Sequence, residues 1–130
     1  MKWIVMVLAG VMAMPLWAQD MRAELAQIQQ RWAQIQYQLP EDDKEKAFEA
    51  LAKEAETFVA DYPGRAEPLI WQGIVLSTYA GAKGGLGALG LVKEARASLE
   101  AALKIAPEAL DGSAYTSLGS LYYQVPGWPL

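Results

Sequence analysis

Three features of this chain have residue types and spacings that invite a chemical reading. Gly85-x-Gly87-x-x-Gly90 has the spacing of a dinucleotide-binding turn, and a helical pattern follows it. That turn works because pyrophosphate oxygens meet a helix N-terminus at the end of a strand. Here an apolar helical pattern, Leu69 to Tyr79, precedes the glycines, and the acidic residue that should follow them is Glu108, beyond Pro107. The glycines therefore read as a loop in which backbones pass closely. Lys83 beside them lacks the Gly-Lys-Ser/Thr order of a phosphate loop. Glu41-Asp42-Asp43 could be drawn as an acid–base cluster. Carboxylates in a first helical turn interact favourably with the helix dipole, which accounts for them without catalysis. The third feature is an absence: the chain has no His and no Cys. Zinc sites, Cys or His nucleophiles and Ser-His-Asp triads are excluded by composition. No catalytic or metal-binding residue is assigned, no cofactor is implied, and an enzyme is not expected.

The elements that could position a site follow from the hydrophobic pattern. The chain has 130 residues, enough for one small domain. Residues 1–18 have the layout of a secretory signal peptide: Lys2, an apolar run from Trp3 to Met14, then Pro15-Leu16-Trp17-Ala18 before polar sequence. Cleavage is expected after Ala18. The apolar run is shorter than the ~20 residues that span a bilayer, so no stable membrane insertion is expected after cleavage. Without a cysteine there is no lipoprotein anchor. The expected location is a periplasm of the Gram-negative type. Losing Lys2 leaves 10 basic and 15 acidic residues. Such a surface repels nucleic acid, whose binding needs clustered Lys and Arg.

Five helices are predicted. In Asp20 to Leu39, residues Leu25, Ile28, Trp32, Ile35 and Leu39 are spaced 3, 4, 3, 4. Asp20 would cap the start and Pro40 ends it. This seam suits an N-terminal helix lying on the domain, and residues 25–39 could also support weak self-association. Glu41 to Asp61 follows, with Asp42 and Glu45 in capping-box positions and an apolar stripe of Phe48, Leu51, Ala55, Phe58 and Tyr62. A pair between Glu49 and Lys53 is expected. Ala66 to Tyr79 is the third. Gly73 in its middle costs roughly 1 kcal/mol against alanine, so close packing must explain it. Ala80 to Gly90 is expected as a glycine-rich loop. The fourth helix runs from about Leu86 to Ile105, with Leu86, Leu89, Val92, Ala95, Leu99 and Ala102 on one face and a Glu100–Lys104 pair. After Pro107 and a turn through Asp111-Gly112-Ser113, the fifth helix covers about Ser113 to Tyr123. No segment alternates with the period of a strand.

These elements contain a repeat. Ala95, Leu99, Ala102 and Pro107 form the second half of a tetratricopeptide (TPR) pattern. Tyr115-x-x-Leu118-Gly119-x-x-Tyr122 is a first half, and Leu69-x-x-Gln72-Gly73-x-x-Leu76 takes the same register. From about Leu51 to Tyr122 the chain resembles a TPR-like protein. It departs from the pattern between Gly73 and Ala95, which are 22 residues apart where the family has about 12. That insertion and the tail Val125-Pro126-Gly127-Trp128-Pro129 resemble the long loops of exported proteins related to the TatT component of TRAP-type transporters.

The resemblance implies an all-α fold of antiparallel helix pairs stacked as a short solenoid. The expected organisation is a signal peptide (1–18), an N-terminal amphipathic helix (19–40) and a TPR-like domain (41–130) that is incomplete at its C-terminus. In such proteins the first helix of each pair lines a concave groove. By register, Ile70, Ile74, Ser77 and Thr78 line it from one repeat, and Thr116, Ser120 and Tyr123 from the next. This surface has no Lys or Arg. The expected role is a scaffold that binds a protein or peptide partner. The alternative is a small-ligand binder in which the 80–90 loop and the Trp128 loop cover an interhelical pocket.

Overall fold

The computed structural model describes residues 14–124, and within them the chain forms five helices and no strand. They are α1 (Leu16–Gln38), α2 (Glu41–Asp61), α3 (Ala66–Lys83), α4 (Gly87–Ile105) and α5 (Ala109–Gln124). The connections are short, as expected between antiparallel neighbours. Helix α3 packs against all four others. Helices α1 and α5 each adjoin α3, while the backbones of α1 and α5, and those of α2 and α4, stay apart. The odd-numbered helices thus lie side by side. Helix α2 covers the junction of α1 with α3, and α4 covers that of α3 with α5.

The contact between α3 and α4 is the most extensive in the fold. A β-carbon placed on Gly73 would stand 2.5 Å from the Leu99 Cγ and 3.2 Å from the Ala95 carbonyl oxygen. Leu99 therefore occupies the space that any side chain at 73 would take. Ala95, Leu99 and Ala102 are completely buried, as the small–large–small spacing predicts. The Ser98 hydroxyl adds a cross-helix hydrogen bond to the Gln72 Oε1, 2.9 Å away.

The seam of α1 is used internally. Leu25, Ile28 and Ile35 join Phe48, Leu51 and Phe58 of α2 and Val75 and Tyr79 of α3 in one core cluster. Most of that seam is thereby buried within the chain, with Trp32 and Leu39 partly covered at its edge. The Tyr62 phenol, just past α2, donates to the Glu24 carboxylate on α1 at 3.3 Å. Partial burial, together with that carboxylate, raises its pKa above the ordinary value.

Several local expectations need correction. The predicted loop at 80–90 is mostly helix: α3 continues to Lys83, and only Gly84, Gly85 and Leu86 connect it to α4. Tyr79 and Ala80 are buried in the core, which draws the helix onward through these residues. The extra residues lengthen a helical hairpin. Leu86 is 87% exposed and Leu89 half-exposed, so the buried face of α4 begins at Val92. Helix α1 starts after Pro15, not at Asp20, because no helix breaker separates them. The expected cleavage position after Ala18 falls in its first turn. Residues 1–13 of the predicted signal peptide lie outside the described residues. Helix α2 starts after Pro40 without a side-chain cap; Glu41, Asp42 and Asp43 occupy its first turn instead of forming a capping box. The Glu49–Lys53 pair is present at 3.8 Å. Glu100 pairs with Arg96, one turn earlier, at 2.7 Å, rather than with Lys104.

The start of α5 is broken by three left-handed residues, Leu110, Asp111 and Gly112, with φ of 50, 58 and 75°. The Ser113 hydroxyl donates to the Leu110 carbonyl across this turn. Regular right-handed helix follows the predicted Asp111-Gly112 turn.

Two substitutions test this packing. Gly73→Ala is expected to cost about 1–3 kcal/mol in urea unfolding, because Leu99 must move. In a Leu99→Ala background the same change should cost far less; equal costs would show that the two residues do not meet. Gly112→Ala is expected to cost about 1–2 kcal/mol from its left-handed backbone alone, since nothing lies near the added carbon. An unchanged midpoint would contradict that geometry.

Candidate functional site

Between α1, α3 and α5 lies a cleft of about 490 Å³. Each helix contributes residues spaced three or four apart, which is how one helical side reaches a common space. Ile74, Ser77, Thr78 and Gly81 come from α3; Thr116, Ser120 and Gln124 come from α5; Trp32 and Gln36 come from α1. The first turns of α2 close one end with Glu41, Lys44 and Phe48.

The hydroxyls on the floor are directed into the protein. Ser77 donates to the Gly73 carbonyl at 2.7 Å. The Thr78 hydroxyl lies 2.9 Å from the Val75 carbonyl oxygen and 3.1 Å from that of Ile74. The same Thr78 oxygen accepts the Trp32 indole N–H at 3.2 Å, tying α1 to α3. The Trp32 ring also meets Trp71 edge-on, with centroids 5.8 Å apart. With its proton spent on the backbone, Ser77 turns lone pairs toward the cleft. Such a floor accepts hydrogen bonds from N–H groups more readily than it donates them.

The cleft also contains a charge. The Lys44 side chain is only 13% exposed, and its Nζ lies 2.5 Å from the Glu41 Oε1, which reaches solvent. The expectation of a groove without Lys or Arg is therefore corrected by a residue from α2. Among the described residues no group of acidic side chains is arranged to hold a metal ion.

Five of the predicted groove residues, Ile74, Ser77, Thr78, Thr116 and Ser120, are brought together here. Ile70 is not among them. It is completely buried between Leu99, Ala102, Ala114 and Leu118, because α5 covers its side of α3. Tyr123 is 91% exposed and lies outside the cleft lining, since one residue on a helix is a rotation of 100°. Trp128 lies outside the described residues. The loop expected to cover the pocket is replaced by helix, and Gly81 and Ala82 line the cleft as part of α3.

The repeat register did not reveal Trp32, Gln36 or Lys44. Trp32 sits on the α1 seam, which marks it as interhelical, but no pattern pairs α1 with α5 across α3. No protein-family model matches the chain, and neither the curated proteins nor the solved structures contain a significant match to it.

Thr78→Val keeps the shape of the side chain but leaves the Trp32 N–H without its acceptor. It should lower stability by about 1 kcal/mol, while Thr78→Ser should stay close to wild type. Urea unfolding followed by tryptophan fluorescence measures both. Equal stability of all three proteins would remove this bond from the account of the site.

Proposed function

We propose that this chain is a non-enzymatic, TPR-like scaffold of a Gram-negative-type periplasm that binds an extended segment of another protein in the cleft. The observation that carries the reading is the composition of the cleft wall. It is built from the odd-numbered helices α1, α3 and α5, and five residues expected from the repeat register lie on it together. The alternation of contacts supports the same architecture: odd helices adjoin one another while the even helices cover their junctions. Under this reading α1 and α2 form a further helix pair rather than a separate appendage. An extended peptide would direct backbone N–H groups to the Ser77 and Ser120 oxygens. Lys44 and the amides of Gln36 and Gln124 would meet its carbonyl groups. Export is supported by the layout of residues 1–18. No helix among the described residues is long and apolar enough to cross a membrane.

The second reading, a small-ligand binder, is favoured by one observation: the volume of about 490 Å³ lies within the range of small-molecule sites. Under it, Trp32 and Phe48 would supply the apolar contact and Lys44 the charge.

A photo-crosslinking residue at Ser120, installed in the full chain and activated in living host cells, separates the readings. The scaffold reading expects one discrete protein adduct from Ser120 and none from Glu54, an exposed position on α2. Adducts of equal yield from both positions would sink it. Absence of any adduct, with a small molecule retained by the purified protein in native mass spectrometry, would establish the second reading instead.

A further inference from the structure

We propose that the segment taken into the cleft carries an aspartate or glutamate side chain, and that this carboxylate replaces Glu41 on the Lys44 ammonium. The inference rests on the scaffold reading of the cleft and adds to it the charge of the partner. Among the described residues that line the cleft, Lys44 and Glu41 are the charged ones; the others are neutral. An ammonium has three N–H donors and no acceptor. Among the described residues Glu41 is the one hydrogen-bond partner of Lys44, through its Oε1 at 2.5 Å. The two side chains differ in exposure. That of Lys44 is mostly covered, whereas 85% of that of Glu41 is open to water. A covered charge with donors to spare gains from an acceptor that is itself shielded from water.

Glu41 holds that place weakly. It belongs to the same helix, three residues earlier, in a pair of the kind that adds little to stability when one partner is solvated. Once displaced, it remains in the first turn of α2, where the helix dipole favours a carboxylate. A carboxylate on an occupant arrives with a chain lying over it, and attraction to Lys44 strengthens as water is excluded. The exchange leaves the ammonium paired throughout. A basic side chain has no acceptor to offer Lys44 and would compete with it for Glu41, so the cleft discriminates by sign. Residues 125–130 contain no acidic side chain and do not supply this carboxylate. The spare N–H groups of Lys44 can still meet backbone carbonyl groups of the same occupant.

The test uses the full chain and a positional-scanning library of short peptides, acetylated and amidated at their ends so that only side chains carry charge. Selection of Asp or Glu at one position is expected. Replacing that residue by Asn or Gln should weaken binding by about tenfold. Lys44→Gln should remove the preference and Lys44→Arg should keep it. Glu41→Gln removes the internal competitor and should tighten binding of the acidic peptide by about two- to fivefold, leaving its neutral counterpart unchanged. The exchanged pair, Glu41→Lys with Lys44→Glu, retains an ion pair and should turn the preference to Lys or Arg; urea unfolding compares its fold with wild type. Selection without an acidic preference, or a preference that survives Lys44→Gln, would overturn the proposal and leave the scaffold reading standing. Selection of no peptide would overturn it as well, and only a missing protein adduct from Ser120 would take the scaffold reading with it. Equal affinity for indole-3-propionate would overturn it by assigning the ammonium to a small acid.

Discussion

The rest of the structure depends on how closely α3 approaches α4. The distance is set by one missing β-carbon, that of Gly73, and by the leucine that enters the space. A glycine in mid-helix costs about 1 kcal/mol in propensity, and burial of Leu99 more than offsets that cost. Because α3 also adjoins α1, α2 and α5, the position it takes against α4 fixes where its remaining sides point. One side, with Val75 and Tyr79, joins the core shared with α1 and α2. Another, with Ile70, is sealed by α5. What remains is the line through Ile74, Ser77, Thr78 and Gly81, which becomes the floor of the cleft.

That floor is polar without exposing helix backbone to a ligand. Its hydroxyl protons are held by carbonyl groups of α3 itself, a local arrangement that leaves oxygen lone pairs outward. The Trp32 indole N–H uses one of them to fasten α1. Lys44 enters from another helix, with most of its side chain covered and its charge balanced by Glu41. The cleft thus combines oriented acceptors, an aromatic wall and the Lys44–Glu41 ion pair.

Much of this was legible in the sequence, and the residues show why. Gly73, Ala95, Leu99 and Ala102 announce a close helix pair because small residues at helical spacing have few other uses. Pro40 and Pro63 mark helix ends because proline cannot continue the hydrogen-bond ladder. Five residues placed on one side by register do line a common cleft, since register fixes direction on a helix. The errors have equally specific causes. The glycines of 80–90 suggested a loop, but burial of Tyr79 and Ala80 outweighed local propensity. Ile70 was placed on the surface because nothing in its own helix says that α5 covers it. Lys44 was missed because a charged residue in a first helical turn looks solvated until a neighbouring helix covers it. Glu100 chose Arg96 over Lys104, a preference between two allowed partners that spacing does not decide.

Helices α1 and α5 both line the cleft, while their backbones stay apart. An occupant of the cleft would touch both walls, acting as a removable cross-link between α1 and α5. Reciprocity then requires that whatever holds α1 and α5 at the bound separation raises affinity for the occupant by the same factor by which the occupant favours that separation. An occupied cleft would, in this sense, respond to the spacing between α1 and α5.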